Sequence, residues 1–369
     1  MKLAFLSTFD YPSRFAHAIH GLQMARAFSS RLGKDFFFLC NTVVDPVIMR
    51  GVRYGRLFGP FGRRIKKLRL RTVLFLPVAS IRLMALRPSV LYTTEPGLYL
   101  PTWLLSRVFF ARFVAECHGP VTRRERWAMA RADHVFFVTA GLRERFTCLY
   151  PDAATSVLPN AVDADRFSST LDERDERAAL GIPAGTFLIG YIGRFEPRGE
   201  DKGVKLMIDS LLNLSLETAL LLVGGTKSEI ETYRAYAAEK GLEHRVLFVG
   251  HVPSEEVPRY ARACDCLVYV PPSSAFTEIE TSPMKLFEYM ATGKPIIVSS
   301  TRAIRDVLRD DEAVFVTPGS SAEFVAGISW VRGNLGEAQE RARRAQHRVA
   351  SNTWHARVER IVQEAAPVV

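Results

Sequence analysis

The chain has 369 residues, of which 49 are lysine or arginine and 39 are acidic, so that its formal net charge is +10. This length exceeds one ordinary domain and fits two. An apolar content of 48% with 24% charged residues is typical of globular proteins, and no uncharged apolar run reaches the ~18 residues of a membrane-spanning helix. The five cysteines are odd in number and lack zinc-type spacing, which favours a reducing cytoplasm over a disulfide or zinc framework.

Strands alternate with helices through the first half of the chain. The N-terminus begins with an apolar stretch that predicts a first core strand and not a signal peptide. The predicted strands are KLAFLS, DFFFLC, SVLYTT, RFVAE, HVFFVT and TSVLP, with helices such as 16–32 and 122–132 between them. Because these strands are continuous apolar runs, buried on both faces, they predict a parallel sheet covered by helices.

A basic segment interrupts this half. Residues 46–94 contain eleven arginine and lysine residues and no acidic residue. Its densest part, Arg53 to Arg71, interleaves these cations with leucine, phenylalanine and isoleucine, which predicts contact with an anionic membrane surface. Nucleic acid is the competing anionic partner, which we do not expect, and a solvated surface remains the plain alternative.

His118 follows the predicted strand RFVAE in the stretch ECHGP. Ligands of parallel sheets bind beyond the carboxyl ends of the strands, so this histidine is a candidate site residue, with a half-buried structural histidine as the alternative. A polar, charge-rich stretch, DADRFSSTLDERDERAALGIP, then predicts the domain boundary. We expect an N-terminal domain over 1–165, a C-terminal domain over 166–345 and a helical tail over 346–369 that packs back towards the N-terminal domain.

The second half repeats the alternation, with strands at TFLIGYIG, ALLLV, RVLFVG, CLVYV, PIIVSS and AVFVT. The first of these strands ends at Gly193 and leads through a polar loop into a helix. Arg194 and Lys202 lie in this loop, and cations beside a helix N-terminus predict a phosphate or diphosphate ligand. The alternative is a solvated turn in which Glu196, Glu200 and Asp201 pair with Arg194, Arg198 and Lys202. Further glycines and a histidine follow the next strands, namely Gly225, Gly250 and His251.

Two carboxylates flank the start of the helix in EIETSPMKLFEYMATGKP. Ser282 is a favourable N-cap and Pro283 a favourable first residue, so the helix is predicted from Pro283 to about Thr292, with Gly293 after its end. Glu280 precedes this N-terminus and Glu288 lies within the helix, where carboxylates could accept hydrogen bonds from sugar or ribose hydroxyls. The alternative places Glu288 on a solvated face as a partner of Lys285, and makes Glu280 one loop acid among several, with Glu278 close by.

Five stretches, taken together and in order, resemble the retaining glycosyltransferases of family 4. They are ECHG, PNAVDADRF, GRFEPRGEDKG, VLFVGHVPSEEVPRYARACDCLVYVPP and SPMKLFEYMATGKPIIVSS, the last close to enzymes of bacterial surface-polysaccharide synthesis. The resemblance implies the α/β GT-B fold, in which two Rossmann-like, doubly wound domains face each other across a cleft. Two departures are the lack of glycine after the first strand before Gly21, and Thr281-Ser282-Pro283 in place of the common Gly-Phe-Gly.

The resemblance also implies roles for individual residues. Arg194 and Lys202 would clamp the donor diphosphate, Glu288 would bind the ribose, and Glu280 would hold hydroxyls of the donor sugar. His118 would face that sugar from the other domain. The implied donor contacts are Arg194, Lys202, Gly225, Gly250, His251, Ser282, Pro283, Met284 and Glu288. Since two cations stand where other enzymes use a divalent metal, we expect neither a metal nor a cofactor besides the donor.

The predicted function is therefore metal-independent, retaining transfer of a sugar from a UDP- or GDP-sugar to a saccharide or lipid-linked acceptor. We expect it to serve cell-surface polysaccharide or glycolipid synthesis, in the cytoplasm and peripherally on the inner membrane face. The alternatives are a GT-B-fold phosphorylase or sugar-nucleotide epimerase, a non-catalytic basic protein that binds nucleic acid, and an inactive sugar sensor.

Overall fold

The computed structural model describes residues 1–11, 16–57, 70–168 and 173–366, and it divides the chain into two compact units. One comprises Met1–Pro159 with Trp354–Val369, and the other comprises Asn160–Thr353. The division thus falls a few residues before the predicted boundary at 165. Residues 346–349 were predicted to begin the tail, but they form the last turn of a helix that belongs to the second unit.

The first unit is built on a parallel sheet of seven strands in the order β5-β3-β1-β6-β7-β8-β9. A separate parallel pair, β2 and β4, lies beyond β1 and β3. The strands are β1 Leu3–Leu6, β2 Asp10–Tyr11, β3 Phe36–Cys40, β4 Thr42–Val43, β5 Tyr54–Arg56, β6 Val90–Thr93, β7 Arg112–Cys117, β8 His134–Phe137 and β9 Thr155–Val157. The predicted strands of this half are confirmed. The strand order reverses between β1 and β6.

The helices α1 to α5 of this unit follow its strands. They are α1 Ala16–Leu32, α2 Leu70–Met84, α3 Tyr99–Phe109, α4 Arg123–Met129 and α5 Ala140–Thr147. The helix predicted over 122–132 is shorter, because Thr122 forms a capping box with Glu125 at its start and the chain turns after Met129. Aromatic side chains fill the core between α1 and the sheet, where the Phe5 ring lies 4.9 Å from those of both Phe38 and Tyr92.

The second unit is built on a parallel sheet of six strands in the order β12-β11-β10-β13-β14-β15. The strands are β10 Phe187–Ile192, β11 Thr218–Val223, β12 Val246–Gly250, β13 Cys266–Tyr269, β14 Ile296–Ser299 and β15 Val314–Val316. The strand order reverses between β10 and β13. In such sheets, ligands bind beyond the carboxyl ends of the strands at this reversal.

Nine described helices belong to the second unit. They are α6 Asp165–Ser168, α7 Glu173–Ala179, α8 Val204–Ser210, α9 Lys227–Glu239, α10 Val257–Ala263, α11 Met284–Thr292, α12 Arg302–Arg305, α13 Ser321–Gly333 and α14 Leu335–Val349. The chain then ends in α15, Trp354–Ala365, which packs against α1 in the first unit. In the part of the chain that the structure describes, no helix is both long and apolar enough to cross a bilayer.

Candidate functional site

The carboxyl end of β10 opens into the Arg194 loop, residues 193–203, which leads to α8. Arg194 is exposed to solvent, whereas the side chain of Lys202 is only 4% exposed. The Lys202 ammonium lies 3.3 Å from a carboxylate oxygen of Glu200 and 5.2 Å from the centre of the Phe276 ring. The structure thus places both predicted cations in the loop that follows β10, one of the two strands between which the strand order reverses.

A carboxylate already occupies two amides at the N-terminus of α8, the helix end where we predicted a phosphate. Asp201 caps it, since its carboxylate accepts hydrogen bonds from the amides of Val204 at 2.7 Å and Lys205 at 3.3 Å. This carboxylate already supplies the negative charge that a helix N-terminus attracts. The predicted alternative is also right in part, because Glu200 pairs with Lys202, although Glu196 accepts the hydroxyl of Tyr233 instead.

Three tyrosine hydroxyls hold the Arg194 loop and the end of β10 by hydrogen bonds, and the sequence alone did not identify them. The Tyr191 hydroxyl donates to the carbonyl oxygen of Arg194 at 2.7 Å, and the Tyr289 hydroxyl accepts the Ile192 amide at 2.9 Å. The Tyr233 hydroxyl donates to Glu196 at 2.7 Å. These hydroxyls come from β10, α11 and α9, so the loop is positioned by three elements of the domain.

Glycines after β11 and β12 let the strand ends approach one another. Gly224 has φ +125°, and a Cβ there would lie 2.1 Å from the carbonyl oxygen of Gly193. A Cβ at Gly225, predicted to contact the donor, would lie 2.6 Å from the Phe195 ring. Gly250 accepts the Gly224 amide at 2.7 Å through its carbonyl, and His251 after it is exposed. Packing against the Arg194 loop therefore explains the first two glycines.

Helix α11 starts one residue later than predicted, with Pro283 as its N-cap residue and Met284 as its first residue. Ser282 is not the cap; its hydroxyl oxygen accepts the amide of Asn160 at 3.2 Å. Glu280 ends a single π-helical turn, Phe276–Glu280, shortly before this N-terminus. The predicted end is confirmed, since Gly293 has φ +66° in the left-handed region.

Lys285 and Glu288 are both half-buried, so they do not lie on a fully solvated face, although the charge of Glu288 does act on Lys285 as the alternative predicts. The Lys285 ammonium donates to the Tyr191 hydroxyl at 2.9 Å and lies 4.2 Å and 4.9 Å from the centres of the Tyr191 and Tyr269 rings. Burial lowers the pKa of Lys285 to about 7, while Glu288 raises it and Lys202 lowers it further. Burial also raises the pKa of Glu288, against the effects of Arg166 and Lys285.

Lys202 and Lys285 therefore bring positive charge together beyond the carboxyl end of β10, and Arg194 lies in the same loop as Lys202. Glu200, which pairs with Lys202, is exposed, and Lys202 and Lys285 are close enough for each ammonium to oppose the other. Such a group of cations is stabilised by a polyanion, and guanidinium and ammonium groups bind phosphate oxygens through charge-assisted hydrogen bonds. The arrangement suits a diphosphate.

The predicted site residue of the first unit, His118, belongs to a buried network around Glu116. The Arg357 guanidinium of α15 holds both Glu116 oxygens, at 2.9 Å and 2.8 Å. The ring Nε2 atoms of His118 and His20 contact the same carboxylate, and the Tyr92 hydroxyl donates to it. Burial alone would raise the pKa of Glu116, but Arg357, His118 and His20 hold it well below its usual value.

His20, Glu116 and His118 are also a group whose ligand atoms could surround a metal ion, all lying within 4.8 Å of one another. They fit a cation poorly. Arg357 already occupies both oxygens of the carboxylate and places a full positive charge beside them. We therefore interpret this group as an ion-pair network that anchors α15.

Comparison with known proteins agrees with the two domains. Anabaena HepE, solved in complex with UDP, superposes with a TM-score of 0.79 at 17% identity, covering 98% of this chain and 99% of that chain. Sucrose-phosphate synthase from Thermosynechococcus elongatus superposes with a TM-score of 0.77 at 18% identity, covering 98% of both chains. The chain thus has the GT-B fold, with two parallel-sheet α/β domains.

Family models then match each domain separately. Residues 18–166 match the model described as Glycosyltransferase Family 4, and residues 172–348 match the model described as Glycosyl transferases group 1. The GDP-mannose-dependent alpha-(1-6)-phosphatidylinositol monomannoside mannosyltransferase of Mycolicibacterium smegmatis is 29% identical over 241 residues, 60% of this chain and 61% of that relative. The chain thus spans about three-fifths of that relative. Together with the fold, these matches support a group 1 glycosyltransferase.

Proposed function

We propose that this protein transfers a sugar, with retention of anomeric configuration and without a metal, from a UDP- or GDP-sugar to a saccharide or lipid-linked acceptor. The acceptor would belong to cell-surface polysaccharide or glycolipid synthesis. The observation that carries the proposal is the proximity of the Lys202 and Lys285 ammonium groups at the carboxyl end of β10, beside the loop that contains Arg194. The nucleotides named for the relatives, GDP-mannose for the mannosyltransferase and UDP for HepE, support it.

The chemistry assigns roles to the residues of the site. Breaking the anomeric bond releases a nucleoside diphosphate, and positive groups aimed at the developing charge are commonly the largest catalytic contribution. Arg194 and Lys202 would bind the departing diphosphate in place of a metal ion. The leaving phosphate would act as base while the acceptor attacks the same face of the sugar. Glu288 would accept hydrogen bonds from the ribose, Glu280 would hold the donor sugar, and His118 would face it.

A thermal-shift screen with UDP-, GDP- and ADP-sugars tests the proposal. A ligand at about 100 times its Kd stabilises the native state by ~2.7 kcal/mol, so one nucleotide class should raise the Tm by several degrees. The Arg194→Ala/Lys202→Ala double variant, folded by circular dichroism, should show no such rise. A wild-type protein that no sugar nucleotide stabilises, or one that binds DNA in a salt-sensitive manner instead, would overturn the proposal.

We further propose that the protein binds its acceptor at an anionic membrane surface, namely the inner face of the membrane. The densest basic residues, Arg63, Arg64, Lys66 and Lys67, lie outside the described residues. Next to them in the chain, α2 and α3 pack together and expose apolar side chains: Ile81, Met84, Leu104, Val108 and Phe110, the last two 66% and 98% exposed. Arg82 and Arg107 are exposed on the same helices. Apolar side chains flanked by arginine fit an interfacial surface.

Replacing Val108 and Phe110 with serine is expected to weaken binding to vesicles of anionic lipid about tenfold or more, because both side chains would lose their insertion into the bilayer. Vesicle co-sedimentation measures this. The matched control is Leu216→Ser, an 86% exposed leucine of the second unit, which should change nothing. Donor binding should persist in both variants. Equal sedimentation of the wild type and the double variant would remove the membrane proposal and leave the enzyme proposal standing.

A further inference from the structure

We propose that Lys285 is a positioning residue of the donor site, which orients the Arg194 loop through the Tyr191 hydroxyl and thereby sets the affinity for the sugar nucleotide. This inference rests on the proposed function, because it concerns the same site. It adds a third cation, from α11, to the two that the loop itself supplies.

Two hydrogen bonds in series connect Lys285 to the loop backbone. The Lys285 ammonium donates to the Tyr191 hydroxyl oxygen at 2.9 Å, and that hydroxyl donates to the Arg194 carbonyl oxygen at 2.7 Å. Since the Tyr191 hydroxyl has one proton, the donation from Lys285 directs that proton towards Arg194. The position of the Arg194 backbone therefore depends on the hydrogen bond that Lys285 donates to Tyr191.

Lys285 also touches the residue at which the loop begins. A Cβ at Gly193, whose φ is +151°, would lie 2.3 Å from the Lys285 ammonium nitrogen and 2.9 Å from its Cε. Only a glycine leaves room for the ammonium at this point. The side chain thus supports the loop at Gly193 by contact and at Arg194 through Tyr191.

The charges around Lys285 make this support sensitive to pH. The titratable groups that face it are Glu288 on its own helix, Tyr191 on β10, Tyr269 on β13 and Lys202 in the loop. Burial raises the pKa of both tyrosines, so their hydroxyls stay protonated and can donate. Burial lowers the pKa of Lys285 to about 7, so Lys285 loses its charge near neutral pH.

The direction of the effect follows from the charge of the ligand. Below pH 7 the ammonium makes a charge-assisted hydrogen bond to Tyr191, whereas above it the neutral amine makes a weaker one and adds no positive charge. A diphosphate nearby favours the ammonium, so binding should take up a proton and affinity should fall as the pH rises through 7. The wild-type Kd is expected to rise about tenfold between pH 6.5 and 8.5.

Titration calorimetry with UDP-glucose and GDP-mannose at several pH values tests the inference. Intact sugar nucleotides are used because they lack the phosphate monoester of free UDP or GDP, whose second pKa is about 6. Lys285→Met should weaken binding about tenfold at pH 6.5 and flatten the pH dependence. Tyr191→Phe, which keeps the ring but removes the relay, should also weaken binding at pH 6.5, while the charge of Lys285 keeps part of the pH dependence in place. The matched control is Lys240→Met, an exposed lysine 5.5 Å from the Tyr236 ring, which should bind as the wild type does.

The outcomes separate the two proposals. If the wild type binds neither sugar nucleotide, the proposed function fails and this inference fails with it. If the wild type binds and Lys285→Met retains both its affinity and its pH profile, this inference alone is overturned. Should Lys285→Met not fold, Tyr191→Phe decides by its affinity at pH 6.5, and unchanged binding in it overturns the relay.

Discussion

Replacing either Arg194 or Lys202 with alanine is expected to lower the rate of donor turnover about 100-fold or more, since each removes a charge-assisted donor to the leaving diphosphate. The two changes should not add fully, because both side chains would act on one leaving group. The measurement is release of nucleoside diphosphate from whichever sugar nucleotide raises the Tm of the wild type. Arg194 is exposed, so its loss should reduce turnover without a large change in stability.

Lys205→Ala is the matched control for this loop. Lys205 lies three residues beyond Lys202 and is exposed on α8, so its removal should leave turnover within about threefold of the wild type. Because Lys202 is nearly buried, its variant needs a Tm measurement beside the rate. Single variants that both turn over the donor at the wild-type rate would show that these cations do not serve the leaving group.

Much of the fold could be predicted because its signals are local. The strand TFLIGYIG is continuously apolar and becomes β10, buried along its whole length. The helix end at Gly293 could be predicted because a glycine in the left-handed region is required there. Packing between distant elements left no such signal. Asp201 is of a type that caps helices, but its neighbours Arg198 and Lys202 offered it ion pairs instead. The three-residue spacing of Lys285 and Glu288 equally suits a solvated pair.

The tyrosines and the network around Glu116 were missed for the same reason. Tyr191 and Tyr289 lie in apolar stretches that predict burial and Tyr233 lies in a charged helix, but only the folded domain brings their hydroxyls to one loop. Glu116 and Arg357 are 241 positions apart, and neither has a local motif. The sequence could therefore locate the candidate donor site at the end of β10, but not the side chains that support it.

Replacing Arg357 with methionine is expected to destabilise the first unit by about 3–5 kcal/mol. It would leave the Glu116 carboxylate buried without its main counter-charge, and breaking a buried pair costs about this much. Met24, whose sulfur lies 3.4 Å from the Arg357 guanidinium, remains beside the site to pack against a methionine side chain. Hydrogen exchange followed by mass spectrometry measures the change, through faster exchange in peptides from β7 and α15. Peptides from β10 serve as the internal reference.

Hydrogen exchange of the same peptides at several pH values tests whether the stability of the first unit rises or falls with pH. Against the effect of burial, Arg357 and the histidines hold the pKa of Glu116 low in the folded protein, and burial lowers that of His20. For both groups the unfolded chain binds more protons, so their contribution to stability is present above the unfolded pKa values, about 4.3 and 6.5, and is lost as the pH falls.

Arg360→Met, which removes an exposed pair with Glu364, is the control and should cost under ~0.5 kcal/mol. Because Glu116→Gln/Arg357→Met leaves no unpaired charge, it should recover part of the loss. Equal exchange in Arg357→Met and Arg360→Met would show that this network does not anchor α15.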